Sequence, residues 1–258
     1  MNRPSVDWLD LREKLDRRFR SGKLADRFIS ATSSKDLIID LACGAGANMR
    51  YLESRNRTRA SWLGIDQVES MPDRLKDGAT GGSVSFRHLD LMQDLEVLQR
   101  GANVAVTASA FLDMTSKPWV SRLVRHFSES PLLVAMTMAG GYRWSPTESS
   151  DAEIETQIRN HQVSDHGFGP AMGADSAAQL TQELKDAGYE VFVEQTDWKL
   201  RGDDWETMEF LIRGVVRRVR SMTTEIDVEA WQERRLQQLR RGRLRMEAPH
   251  FDVLGLPQ

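Results

Sequence analysis

The run DLIIDLACGAGANMRYL at residues 36–52 limits what this chain can fold into more than any other segment. It reads as a strand, a glycine turn and a helix in immediate succession. Leu37, Ile38 and Ile39 form a short apolar stretch of the kind buried in a parallel sheet, and Asp40 closes it. Ala42, Cys43, Gly44, Ala45 and Gly46 are all small, so a ligand can lie directly on the backbone. The helix that follows turns Met49 and Leu52 toward the sheet and leaves its first N–H groups facing the turn. That geometry suits a nucleoside-containing cofactor.

Two details argue against a dinucleotide. A pyrophosphate turn has the pattern G-x-G-x-x-G, whose third glycine lets the helix pack closely; Met49 stands at that position here. Asp40 would also repel a pyrophosphate, whereas it suits a cationic amino group. Written D-x-A-C-G-x-G, the turn resembles motif I of the class I S-adenosylmethionine-dependent methyltransferases, with Ala42 where the first glycine usually stands. The resemblance implies S-adenosylmethionine as the cofactor, with Asp40, Ala42, Cys43, Gly44 and Gly46 around it.

Further parts follow in order. Ser61 to Ile65 reads as a second strand ending in Asp66, with Gln67 beside it. Asp66 lies about twenty residues past the turn, where an acidic residue accepts ribose hydroxyls. A helix cap at a strand end would explain the residue type but not the distance. Val84 to Leu89 leads into Asp90 and Leu91, resembling the acidic tip that meets the adenine amino group in this family. Val104 to Ser109 reads as a fourth strand, and the resemblance puts its tip, with Thr107 and Ser109, beside the cofactor's methyl.

At 258 residues and 40% hydrophobic, the chain can bury one sizeable core. No window has the apolar length of a membrane span, and MNRPSVDWLDLREK contains no signal-peptide apolar region. A cytoplasmic protein without membrane attachment is expected. The single cysteine argues against a disulfide framework, and no cluster of histidines and carboxylates has metal-ligand spacing. Metal-free chemistry is therefore expected. A net charge of −3 gives no global reason to expect nucleic acid.

Periodicity predicts an amphipathic helix over about 5–31, then strands alternating with helices at 46–55, 68–77, 92–100 and 117–128. A fifth strand is expected at 132–138, followed by an irregular polar excursion over 141–172. A helix at 175–187, a sixth strand at 189–194 and two arginine-rich helices at 204–222 and 227–243 come next, with 246–256 as a seventh strand. Such alternation means an α/β, doubly wound parallel sheet. The family resemblance makes it a Rossmann-like seven-stranded sheet with helices on both faces and the last strand antiparallel between strands five and six. Within one methyltransferase domain, 1–31 forms an N-terminal helical lid, 36–138 the cofactor-binding core, 139–172 a substrate-loop insertion and 173–258 the C-terminal half.

Ligands of open sheets lie beyond the carboxyl ends of the strands, where strand order reverses. Asp40, Asp66, Asp90 and Ser109 fall there, and an antiparallel seventh strand would add Glu247 and His250. On the amino-terminal helix, Trp8, Leu11 and Arg12 can face inward together, with Arg12 a candidate partner for the cofactor carboxylate. In the excursion, His161, Asp165 and His166 are candidates for a base or for orienting an acceptor. Gln162 and Phe168 are candidates for substrate contact, and Asp113 could orient the acceptor or cap the next helix. From Thr107 to Leu180 the chain resembles uncharacterised bacterial small-molecule methyltransferases with an H-Q-x-x-D-x-G-F-G-P-A-x-G loop, which implies a small-molecule methyl acceptor.

The segment Thr107 to Phe111 lacks the proline-proline-aromatic motif of enzymes that methylate exocyclic base amines, and Cys43 lies in the wrong loop for a pyrimidine nucleophile. Arg213, Arg217 and Arg220 share a helix face that could track phosphates, but Glu206, Glu209, Glu225, Glu229 and Glu233 offset them. Methyl transfer to a small molecule is the leading expectation. RNA or protein methylation and non-catalytic cofactor binding are the alternatives, and oligomeric state is not indicated.

Overall fold

The structure, a computed structural model, describes residues 6–67, 75, 82–223 and 225–258. Two helices, α1 (Val6–Phe19) and α2 (Gly22–Ala31), precede β1 (Leu37–Leu41), α3 (Ala47–Arg55) and β2 (Ser61–Asp66). Then come β3 (Val84–His88), β4 (Val104–Ser109), α4 (Lys117–His126) and β5 (Leu132–Met138). The excursion carries β6 (Arg143–Ser145) and α5 (Asp151–Gln162), and leads to α6 (Ser176–Asp186), β7 (Tyr189–Gln195) and β8 (Trp198–Leu200). The helices α7 (Trp205–Arg220) and α8 (Val228–Arg240) and the strands β9 (Arg245–Ala248) and β10 (His250–Pro257) complete the chain.

Seven strands lie in the order β3-β2-β1-β4-β5-β10-β7, with β10 antiparallel to both neighbours and the pairs from β3 through β5 parallel. Side chains alternate across this sheet. Ile39, Leu41, Val104, Val106 and Val134 join a core that contains Trp119 of α4 and Leu180 of α6. Their neighbours Ile38, Ala105 and Leu133 face the other way, onto Phe28 of α2 and Met49 and Leu52 of α3. The period of two along the strands thus assigns each helix its face.

Several expectations need correction. The amino-terminal helix breaks at Arg20 and Ser21, where the Ser21 hydroxyl caps α2 by accepting the Leu24 N–H. The helix expected over 92–100 is only a short 3-10 turn at Leu95–Val97, because the Asp90 carboxylate accepts the Met92 N–H and folds the chain locally. The excursion is not irregular throughout, since twelve of its residues form α5. Expected strand seven is two strands: β9 leaves the main sheet and pairs with β6 and β8 in a separate three-stranded sheet. The expected helix at 68–77 lies outside the described residues except for Leu75.

That small sheet, with α5, α7 and α8, gathers a second core around Trp144, Trp198 and Trp231. Its central polar tie is Arg235, with no exposed surface, which donates from one nitrogen to both Asp151 oxygens and from another to the Pro146 carbonyl at 2.5 Å. The Trp231 indole also donates to Asp151, at 2.8 Å. Asp151 opens α5, so this buried pair fixes where the excursion sits. Removing one member of a buried pair strands the other charge. Asp151→Ala should therefore lower unfolding free energy by about 3 kcal/mol in urea titration, while Glu153→Ala, exposed one turn-position away, should change it by less than about 0.5 kcal/mol.

Candidate active site

The turn after β1 has left-handed backbone at Ala42 (φ 51°), Gly44 (φ 50°) and Gly46 (φ 81°). A Cβ on Gly44 would meet nothing within 4 Å, so that side of the turn is open to a ligand. A Cβ on Gly46 would strike Leu75 at 2.5 Å, so that glycine serves close packing beneath the turn. Ala42, which stands where the family usually has glycine, adopts the strained conformation with a side chain in place. Cys43 lies against Gly64 of β2, and burial, reinforced by Asp40 and Asp66, pushes its thiol far up; it is a packing residue and not a nucleophile.

A cavity of about 710 Å³ extends from this turn, beneath α1, to the loop after α5. That volume is of the size that encloses a whole ligand. It is lined by Asp40, Gly44, Asp66, Gln67 and Leu91 from the turn and the loops after β2 and β3, and by Trp8, Phe111, Met114, His166 and Phe168 from α1 and the loops after β4 and α5. Asp66 accepts the Gly44 N–H at 2.8 Å, which locks the turn to the end of β2. Asp40 is 1% exposed; Asn48 donates to its Oδ1 at 2.7 Å, and its Oδ2 has no partner. Burial raises its pKa to about 7, against the lowering effects of the Asn48 hydrogen bond and the Arg20 charge, with Asp66 raising it further.

Of the expected cofactor residues, Arg12, Asp40, Ala42, Cys43, Gly44, Asp66, Gln67, Leu91 and Ser109 all line this cavity. Thr107 does not: it is fully buried and accepts Asn48 Nδ2 at 3.1 Å, supporting the cavity from behind. Gly46 packs beneath the turn, and Asp90 is spent on its own loop through Met92 and Gln93. Arg12 is turned toward Trp198. Its Nε donates to Asp16 at 3.2 Å, its guanidinium lies 5.5 Å from the Trp198 ring, and its charge acts on Asp113, Tyr142 and His250.

The acceptor-side residues divide. His166 lines the cavity, with Nε2 3.2 Å from the His161 carbonyl. A carbonyl only accepts, so Nε2 carries the proton and Nδ1 is the basic atom of the neutral ring. Phe168 lines the cavity too, but it is 5% exposed and packs edge-on against Phe111 and Trp119 at 5.3 Å. It anchors the loop and is no free stacking platform. Asp165 is exposed and accepts the N–H groups of Gly167 and Gly169, at 2.7 and 3.0 Å; it builds the turn outside the cavity. His161 sits at the end of α5 outside the cavity lining, and burial lowers its pKa. Gln162 is turned onto the Met138 sulfur.

His250 has no exposed surface, is packed 4.8 Å from the Trp198 ring, and donates from Nδ1 to the Ala248 carbonyl. Burial lowers its pKa to about 3, so it stays neutral and cannot reach a ligand. Asp113 receives N–H groups from its own residue and from Met138, and burial pushes its pKa up against the charges of Arg12 and His166. Sequence reading missed Arg20, Asn48 and Tyr51, which complete the wall next to Asp40. Among the described residues no group of three or more histidine, cysteine, aspartate or glutamate side chains could hold a metal ion. Among the same residues no helix is long and apolar enough to cross a membrane.

Residues 38–130, from the second residue of β1 to beyond α4, match the family model described as a methyltransferase domain. Residues 38–130 thus carry a methyltransferase domain. In fold, a cyclopropane-fatty-acyl-phospholipid synthase-like protein from Lactobacillus casei superposes with TM-score 0.52 at 13% identity, covering 98% of this chain and 94% of that one. An S-adenosylmethionine-dependent methyltransferase from Thiobacillus denitrificans, solved with S-adenosyl-L-homocysteine, gives 0.46 at 14% identity, covering 98% and 99%. Geranyl diphosphate C-methyltransferase from Streptomyces coelicolor gives 0.43 at 12%, covering 91% and 79%. No curated protein sequence matches the chain.

The cofactor fits the residues present: an open glycine face, a carboxylate at ribose distance and an unpartnered carboxylate oxygen on Asp40. The protein carries that last group at a cost. A carboxylate whose folded pKa is about 7 against an ordinary 3.8 binds protons more tightly folded than unfolded, so it lowers stability as pH rises across that interval and no further above it. Asp40→Asn should thus raise the melting temperature of the cofactor-free protein at pH 8, by roughly 1 kcal/mol of stability or more, and change it little near pH 4. Thermal denaturation at both values checks this.

Proposed function

We propose that this methyltransferase acts on a small acceptor with an apolar, partly aromatic body, and that His166 is the base that receives the acceptor's proton. The observation carrying this is a cavity that the glycine turn shares with the apolar side chains of Trp8, Phe111, Met114 and Phe168, with His166 on its lining. The cofactor bound there supplies an activated methyl group on a sulfonium. The chain's task is then to hold the acceptor in line and to keep water out. Apolar walls serve both ends. Of the three candidate bases only His166 reaches the cavity, and its Nδ1 is free to take a proton from a hydroxyl or amino group.

The small-acceptor reading is favoured over RNA by what the arginine-rich helices do. Arg213 pairs with Glu209, Arg220 with Glu229, Arg234 with Glu148 and Arg235 with Asp151. A phosphate-tracking face would leave such groups unpaired.

Fractionated metabolite extracts, incubated with the protein and methyl-labelled S-adenosylmethionine, identify the acceptor by the label it gains. With that acceptor, His166→Ala should slow transfer on the order of a hundredfold while cofactor affinity stays nearly unchanged. His161→Ala should have a milder effect, through loss of the ring against His166, and Asp165→Ala should act only through a looser loop. Unchanged turnover in His166→Ala would remove the base; label found only in RNA or protein would overturn the small acceptor.

A further inference from the structure

Two arginines reach the cavity from the amino-terminal helix, Arg12 within α1 and Arg20 just past its end. They stand eight positions apart, which a rise of about 1.5 Å per residue turns into about 12 Å. Their surroundings differ accordingly. Arg20 acts on Asp40, at the end of β1. Arg12 acts on Asp113, Tyr142 and His250, which follow β4, follow β5 and open β10. In the order β2-β1-β4-β5-β10 these strands lie one to three places beyond the glycine turn, on the side away from Asp66. At about 4.8 Å per strand, β10 is about 14 Å from β1. The charge of His166 also acts on Asp113, so Arg12 and His166 share this rim.

The setting of Arg12 leaves one edge of its guanidinium open. Its Nε donates to Asp16 Oδ2 at 3.2 Å, and Asp16 Oδ1 accepts the Trp198 indole N–H at 3.2 Å. The carboxylate thereby ties the arginine to a buried tryptophan, with the guanidinium 5.5 Å from the ring. Among the described residues, neither Nη of Arg12 has a hydrogen-bond partner. A planar guanidinium held at Nε presents its two Nη groups as a fork, which matches the two oxygens of a carboxylate. An anion arriving there meets two carboxyl groups. Asp16 is engaged on the Nε side, and Asp113 receives N–H groups from its own residue and from Met138. Burial raises the pKa of both, against the charge of Arg12, so either takes up a proton more readily beside a second anion.

We propose that the methyl acceptor is a carboxylic acid, and that Arg12 takes its carboxylate through the two Nη groups while its apolar body lies along Trp8, Phe111 and Met114. The inference rests on the small-acceptor reading and adds a charged group to it. One fork with one charge matches a carboxylate better than a phosphate dianion. With His166 on the same rim, the acceptor is in chemical class an apolar, aromatic acid that also bears a hydroxyl or amino group. Arg12 is then the residue that selects acids over neutral molecules of the same shape.

Calorimetric titration of the protein saturated with S-adenosylhomocysteine tests this, using a panel of hydroxybenzoic and arylalkanoic acids, each paired with its neutral carboxamide. Acids should bind the wild type about tenfold or more tighter than their amides. Arg12→Gln should abolish that preference and leave S-adenosylhomocysteine affinity within about twofold, which also reports that the variant is folded. Arg12→Lys, which keeps the charge and loses the fork, should restore only part of the preference. Acids and amides bound alike by the wild type, or a preference that survives in Arg12→Gln, would overturn the acidic acceptor and leave the small-acceptor reading standing. Binding of neither class would overturn that reading and this inference with it. Loss of S-adenosylhomocysteine binding in Arg12→Gln together with the acids would put Arg12 at the cofactor and overturn its role here.

Discussion

One buried carboxylate, Asp252, sets the geometry on which the cavity depends. It is 1% exposed and accepts three hydrogen bonds: from the Ser21 N–H at 2.8 Å, from the Met136 N–H at 2.7 Å and from the Thr196 hydroxyl at 3.2 Å. Met136 is left-handed (φ 52°) in the middle of β5, and the pairing of β5 with β10 shifts between Phe251 and Val253. Such a bulge frees an amide from the ladder, and Asp252 supplies its acceptor. The same side chain holds the amide of Ser21, the residue that caps α2. The break between α1 and α2 is therefore a fixed corner, and it directs α1 over the rim of the sheet and delivers Arg20 to the side of Asp40.

The arginine-rich helices acquire a structural meaning from the same kind of accounting. Arg234 and Gln238 hold Glu148, and Arg235 holds Asp151, so one face of α8 grips the entrance to α5. The loop that carries His166 begins where α5 ends. Its position is thus decided by charges more than seventy residues later in the chain, as well as by Phe168 packed between Phe111 and Trp119.

The part of the candidate site built on the glycine turn was legible because its signals are local. Strand, small-residue turn and helix follow one another without a gap, and the spacing from the turn to Asp66 depends only on one βαβ unit. The part built on the loop after α5 was less so. α5 presents only Ile154 as a buried residue, which leaves little periodicity to read in its sequence. Asp165 looked catalytic because it is titratable and lies among glycines, yet Gly167 and Gly169 are left-handed (φ 100° and 83°) and need its carboxylate to close the turn. His250 was placed at the correct rim by the antiparallel strand, but nothing in its neighbours along the chain announces that Trp198 seals it. Arg20, Asn48 and Asp40 are spread over 29 positions of the sequence and become a unit only when α1, α3 and β1 meet.

Helix α1 is a rod fastened at several points. Trp8 stacks on Phe210 and Arg18 pairs with Asp204, both in the second core's neighbourhood, while Glu13 pairs with Arg50 on α3. The same rod offers Trp8 and Arg12 to the cavity and leads directly into Arg20, which also lines it. Because a helix transmits displacement along its axis without bending, whatever fixes the Arg20 end also fixes the cavity wall at Trp8.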